Sequence, residues 1–145
     1  MSLGKNDISA LKKGDAVAVI STARKVSLSE LDFAITKIKS WGLNVCFGKN
    51  LFKKQHQFAG TIKERTEDLQ WALDDNNIKA VFFARGGYGS VHVVDCVDWQ
   101  AFTINPKWLI GFSDITVFHS HVHQCFNIPT LHAAMPITYP QNTDG

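Results

Sequence analysis

The amino-acid sequence predicts an α/β fold: a doubly wound, mostly parallel sheet with helices on both faces. Short apolar runs alternate along the chain with apolar stripes at helical spacing. Two of the stripes begin at capping boxes, Ser27 with Glu30 and Thr61 with Glu64, which satisfy the free N–H groups of a first helical turn. Because strands separated by helices pair in parallel, the βαβα order predicts the doubly wound sheet.

Five apolar runs are predicted to be strands, and the strongest is the third, which is apolar apart from Lys79. The predicted strands are 16–20, 43–47, 78–84, 108–112 and 128–131. The first helix runs from Ser27 to a stop at Gly42, and the second begins at Thr61 and extends to about residue 74. A short helix starts at Ser90, and a last apolar stripe begins at Ile115. The arrangement is flavodoxin-like, with residues 48–60 as a surface loop.

Composition narrows the class of protein. The 145 residues are 45% hydrophobic, which suits one domain with a real core. A net charge of +2 without a basic block gives no reason to expect a nucleic-acid partner. The apolar runs are too short to span a membrane, and no secretory signal is visible. The three cysteines, Cys46, Cys96 and Cys125, are widely spaced. They are expected to be buried, reduced thiols in a cytoplasmic protein.

The predicted fourth strand ends at Ser113, where a helical pattern begins at once. Such a junction lifts the hydroxyl out of the sheet, next to free N–H groups that can stabilise an oxyanion, and nucleophilic serines occupy such places. On local pattern alone, the alternative that Ser113 is a helix N-cap is the more common case.

A glycine-rich loop, 85–90, follows the third strand at the same edge of the predicted sheet. Its glycines let backbone N–H groups approach a ligand, although a tight structural turn would use them equally well. A dinucleotide site is disfavoured, because His92 stands where the third glycine belongs and no acidic residue follows at ribose spacing.

The helix after Ser113 carries His119, His121 and His123. His119 and His123 share a face, but without a third ligand or an HExxH pattern they predict no metal site. His119 lies about 9 Å of helical rise from the helix start, so it is a poor general base for Ser113.

These motifs resemble the LD-carboxypeptidase family, which contains muramoyltetrapeptide carboxypeptidases and microcin-immunity peptidases. The resemblance rests on Arg85-Gly86-Gly87-Tyr88-Gly89 and on Gly111-Phe112-Ser113-Asp114-Ile115-Thr116. The segment 11–15 resembles the opening of the family. Several positions before the glycine loop are also similar: 58–61, Arg65, Asp68, Leu69 and Ala72.

The resemblance implies a serine peptidase with Ser113 as nucleophile. The N–H groups of Gly87 and Asp114 would form the oxyanion hole, and Gly86 and Tyr88 would bind substrate. It further implies that residues 1–136 form the nucleophile-bearing N-terminal domain. Residues 137–145 would begin a linker to a C-terminal domain, absent from this chain, that supplies the Glu and His of the triad.

The implied reaction releases a terminal D-amino acid from a murein tetrapeptide during peptidoglycan recycling, without a metal or cofactor. Two alternatives stay open: an immunity-type peptidase that cleaves a peptide-nucleotide antibiotic, and a non-catalytic module that binds an anion at a helix N-terminus. A homodimer is expected for the whole enzyme. An exposed edge with Tyr88, Phe112 and the Met135 region is expected to favour self-association of this domain alone.

Overall fold

A computed structural model describes residues 7–140 as a five-stranded sheet between two helical layers. The strands are all parallel and lie in the order β2-β1-β3-β4-β5. Their bounds are Ala16–Ile20 for β1, Asn44–Phe47 for β2, Ile78–Phe83 for β3, Trp108–Gly111 for β4 and Leu131–His132 for β5. From β1 the chain adds β2 on one side, and it then returns to add β3, β4 and β5 on the other side. The order in which strands are added therefore reverses at the gap between β1 and β3. Open α/β sheets bind ligands at the carboxyl ends of the strands flanking such a point.

The five α-helices within residues 7–140 lie on both faces of the sheet. They are α1 (Leu28–Ser40), α2 (Ile62–Asp74), α3 (Val91–Val94), α4 (Gln100–Ile104) and α5 (Thr116–Phe126). The strand β1 supplies Val17 and Val19 to the core under α1, and Ala18 and Ile20 to the core under the other helices. This alternation follows from the two-residue period of a strand, and it explains why β1 is apolar on both faces.

The predicted fold class is confirmed, and so are both capping boxes. The short helix α4 was not predicted, since its five residues carry neither a side-chain cap nor a full apolar stripe. The strand β5 is also shorter and later than predicted, because only Leu131 and His132 pair with β4.

Two expectations about burial were wrong. Cys46 is half-buried, whereas Cys96 and Cys125 are exposed, although all three are free thiols as expected. Met135 is buried, because its side chain packs against Gly86 at the edge of the sheet where an open surface was expected.

The segment after β5 packs back onto the domain. Pro136–Thr138 forms one 3₁₀ turn, the Ile137 N–H donates to the Ala84 carbonyl at 3.1 Å, and the Tyr139 ring lies 6.4 Å from that of Trp41. The rest of the predicted linker, residues 141–145, lies outside the described residues. Over the described part of the chain, no helix is both long and apolar enough to cross a membrane.

Candidate active site

Ser113 lies at the carboxyl end of β4, as the first residue of a 3₁₀ turn that leads directly into α5. Its φ is +61°, a left-handed conformation that a serine rarely adopts. Sharp, strained turns of this kind between a strand and a helix are typical of serine nucleophiles. The predicted strand-to-helix junction at Ser113 is therefore present, and it carries backbone strain that the sequence pattern did not reveal.

The interpretation of Ser113 as a helix N-cap is wrong. The N-cap positions are Phe112 for the 3₁₀ turn and Ile115 for α5, and neither end has a side-chain cap. Ser113 is exposed, and its hydroxyl makes no hydrogen bond to any residue within 7–140. The hydroxyl is thus free to meet a ligand.

The glycine loop and the Ser113 turn touch each other through Asp114. The Asp114 carboxylate accepts a hydrogen bond from the Ser90 N–H at 3.0 Å. On the other side, the Asp114 backbone nitrogen lies 3.5 Å from the point where a Cβ on Gly86 would stand. The loops predicted to form one site are therefore neighbours, with backbone N–H groups from both at the same edge of the sheet.

Two glycines of this loop are required by conformation and by space. Gly87 has φ +109° and lies under the Arg24 side chain, so that a Cβ there would stand 2.5 Å from Arg24 Cδ. Gly89 has φ +127° and lies against Arg65 and the Phe58 ring. Residues with a Cβ would strain both positions and displace the arginines.

The buried side chain of Arg65 hydrogen-bonds three backbone segments at this edge of the sheet. The side chain is 1% exposed, and its guanidinium donates to the carbonyls of Thr22 at 2.7 Å, Gly89 at 2.9 Å and Gly60 at 3.3 Å. It also lies 4.6 Å from the centre of the Phe58 ring, a cation–π contact. Arg65 thus connects the loop after β1, the start of α2 and the glycine loop.

Burial lowers the pKa of Arg65, and the negative charge of Asp114 opposes that change. The structural role of Arg65 was not inferred from the sequence. The available signal was a charged residue at the stripe position four residues before Leu69, on the apolar face of α2.

A hydrogen bond between two side chains also joins the loop after β1 to the glycine loop. The hydroxyls of Thr22 and Ser90 lie 2.8 Å apart in a buried contact between the loop after β1 and the glycine loop. A layer of polar side chains therefore lies beneath the candidate site and fixes the positions of three loops relative to one another. Its members are Thr22, Arg65, Ser90 and Asp114.

None of the described histidines forms a hydrogen bond with Ser113. His119 is 5% exposed, and its Nε2 lies 2.8 Å from the Gly111 carbonyl oxygen. Burial lowers the pKa of His119, so the neutral imidazole is favoured. His123 Nε2 bonds the Thr130 hydroxyl at 3.0 Å. Within residues 7–140, no group of three or more His, Cys, Asp or Glu could hold a metal ion.

Tyr88 is the aromatic residue of the glycine loop. It is 49% exposed, and its ring lies 6.4 Å from that of Phe58 and 5.2 Å from that of His92. An aromatic side chain held in this way offers a ligand an apolar surface with a hydroxyl at its end.

The fold and the site together define a class: doubly wound α/β domains with a free serine on a strained strand-to-helix turn opposite a glycine loop. The chain belongs to the LD-carboxypeptidase family, since the family model described as the LD-carboxypeptidase N-terminal domain matches residues 17–133.

Comparison with individual proteins agrees with this assignment. The chain is 39% identical over 127 residues to a probable murein peptide carboxypeptidase of Bacillus subtilis (strain 168), covering 87% of this chain and 40% of that protein. It is 33% identical over 117 residues to the murein tetrapeptide carboxypeptidase of Pseudomonas aeruginosa, covering 80% and 38% of the two proteins.

Among solved structures, an MccF-like protein from Bacillus anthracis str. Ames matches with a TM-score of 0.87 and 27% identity, over 94% of this chain and 42% of that one. The chain thus spans about two fifths of the length of the curated relatives it matches.

Proposed function

We propose that this chain supplies the nucleophile of a serine LD-carboxypeptidase that acts on murein tetrapeptide. The observation that carries the proposal is the free Ser113 hydroxyl, held at φ +61° beside the glycine loop in a chain of this family. The relatives named as murein peptide and murein tetrapeptide carboxypeptidases support the choice of substrate. The free thiols of the three cysteines suit a cytoplasmic location, where murein peptides would be recycled.

In the proposed reaction, Ser113 Oγ attacks the carbonyl carbon of the amide that joins an L-configured centre to the terminal D-amino acid. The N–H groups of Gly87 and Asp114 donate to the oxyanion of the tetrahedral intermediate. The amide C–N bond then breaks, the D-amino acid leaves as a free amine, and water hydrolyses the ester on Ser113. No metal or cofactor enters these steps.

The general base comes from a second domain in this proposal. The described histidines support this, because the imidazole of His119 is directed to the Gly111 carbonyl instead of to Ser113. A His would accept the Ser113 proton and return it to the leaving amine, with a Glu orienting that His, as the family resemblance implies.

The test is D-alanine release from a murein tetrapeptide by the protein expressed from the complete gene. Ser113→Ala should lower kcat by roughly 10⁴ to 10⁶, as loss of a nucleophile does elsewhere. Ser120→Ala, an exposed serine on the same helix α5, is the matched control and should retain activity. If Ser113→Ala retains the rate of the control, Ser113 is not the nucleophile.

The 145-residue chain by itself should be nearly silent, because it holds the proposed nucleophile without a placed base. Turnover by this chain above roughly 1 per second, an ordinary enzyme rate, would mean that the base lies within it.

A further inference from the structure

A basic cleft opens beside the glycine loop, and the proposed chemistry leaves it unused. It is lined by Arg24, Lys25, His56, Gln57 and Arg85. Arg24 follows β1 and Arg85 follows β3, the two neighbouring strands between which the chain reverses direction across the sheet. The cleft therefore occupies the crevice where open α/β sheets bind their ligands.

We propose that Arg24, Lys25 and Arg85 form a carboxylate-binding subsite that recognises the free C-terminal carboxylate of the terminal D-amino acid. This inference rests on the proposed function, and it assigns to that site the feature that would restrict it to the end of a peptide.

Backbone contacts fix the position of the cleft relative to the candidate oxyanion donors. The Arg24 N–H donates to the Gly86 carbonyl at 3.4 Å, and the Lys25 N–H donates to the Gln57 carbonyl at 2.9 Å. The Arg24 side chain crosses Gly87, with Cδ and Nε 2.5 and 2.8 Å from the point where a Cβ on Gly87 would stand. Arg24 thus lies directly against the residue whose N–H would bind the oxyanion.

The charges in the cleft are unbalanced in favour of an anion. Arg85 Nη1 lies 3.7 Å from the Glu30 carboxylate, which also accepts the Ser27 N–H in the capping box of α1. No carboxylate within the described residues forms an ion pair with Arg24 or Lys25. The cleft therefore holds three cations and one neighbouring carboxylate, that of Glu30, which already accepts the Ser27 N–H. A guanidinium can bind a carboxylate with two parallel N–H···O bonds, which favours a carboxylate over an amide.

The dimensions of a peptide agree with this placement. In a carboxypeptidase substrate, only one N–Cα unit separates the scissile carbonyl carbon from the terminal carboxylate carbon. Standard bond lengths limit that distance to roughly 4 Å. A carboxylate bound while the oxyanion contacts the Gly87 N–H must therefore lie next to Gly87, where the Arg24 side chain is found. An endopeptidase would need that space to be open for the continuing chain.

Binding to the ¹⁵N-labelled 145-residue chain, followed by NMR, tests the subsite independently of turnover. The probes are acetyl-D-alanine and acetyl-D-alaninamide, which differ only in the terminal charge. We expect acetyl-D-alanine to shift the amide signals of Arg24, Gly86 and Gly87. We also expect the amide probe to bind about tenfold more weakly, as loss of one charge-assisted hydrogen-bonded pair would cause.

Variants separate the subsite from general charge effects. Arg24→Ala should weaken acetyl-D-alanine about tenfold and leave acetyl-D-alaninamide unchanged, while Arg24→Lys should restore part of the loss because it keeps the charge but not the planar fork. Lys79→Ala is the matched control, an exposed cation at the opposite end of β3, and should change neither affinity. The amide spectra themselves report whether each variant is folded.

Equal binding of the two probes, equal weakening of both by Arg24→Ala, or no shift near Gly87 at the highest soluble probe concentration would overturn the subsite. An inorganic phosphate titration distinguishes carboxylate recognition from general anion binding, and phosphate that displaces acetyl-D-alanine at equal concentration would also overturn it. Failure of the proposed function has a different signature, because tetrapeptide turnover would then survive Ser113→Ala while the two probes still bind differently.

Discussion

Replacement of Arg65 by methionine should destabilise the protein strongly, although methionine fills much of the same volume. The substitution removes the donors of three carbonyls, those of Thr22, Gly89 and Gly60, which lie 2.7, 2.9 and 3.3 Å from the guanidinium. The first two bonds are short and buried. Leaving a buried acceptor without a partner costs about 1–3 kcal/mol.

The cation–π contact with Phe58, at 4.6 Å, adds to this loss. Such a contact contributes about 1–2 kcal/mol when it is partly desolvated. Burying a cation is itself costly, and the methionine variant no longer has that cost. This gain offsets part of the stability lost with the hydrogen bonds and the cation–π contact. We therefore expect a net loss of about 3–4 kcal/mol in the free energy of unfolding, which is a large fraction of the stability of a domain this size.

The measurement is equilibrium unfolding in urea at neutral pH, with the slope m checked for constancy between variants. Lys63→Met on the exposed side of the same helix α2 is the matched control and should change the free energy of unfolding by less than about 0.5 kcal/mol. A loss below about 1 kcal/mol for Arg65→Met would refute the reasoning, since two short buried bonds could not then be contributing as argued.

Three further predictions concern the same region. Ser113→Gly should be about 1 kcal/mol more stable than Ser113→Ala in thermal unfolding, because glycine relieves the strain at φ +61°; equal stabilities would mean that the turn is unstrained. Gly87→Ala should cost more than Gly14→Ala in the same assay, since both have positive φ but only Gly87 lies under a side chain, that of Arg24. Burial raises the pKa of Asp68 from 3.8 to about 6. The native state therefore binds a proton more tightly than the unfolded chain, and this contribution to stability is lost as the pH rises from about 4 to about 6. Asp68→Asn should remove up to about 3 kcal/mol of that pH dependence, and an unchanged pH profile of unfolding would contradict the shift.

The local elements were predictable because their signals are local. A capping box acts over three residues, so Ser27 with Glu30 and Thr61 with Glu64 located the starts of α1 and α2. The apolar run of β3 indicated a buried strand, and the βαβα order along the chain implied helices on both faces of the sheet. Elements with weak local signals, such as α4 and β5, were missed or misplaced because packing defines them.

Some features of the candidate site likewise have a local signal in the sequence, and others have none. The apolar run ending at Phe112 predicted the junction at Ser113, since the change from strand to helix occurs within a few residues. No local pattern indicated φ +61° at Ser113 or the bond from the Ser90 N–H to Asp114, which joins residues far apart in the chain.

The sequence by itself determined the alternation of strands with the longer helices, the position of Ser113 and the glycine loop at one edge of the sheet, and the family resemblance. Only the tertiary structure decided which side chains meet at that edge. It showed that Arg65 is buried under three loops and that Arg24 crosses Gly87. The physical reason is that strands β1, β3 and β4 are adjacent in the sheet but distant in the chain. Contacts between the loops that follow them therefore leave no periodicity, cap or spacing in the sequence.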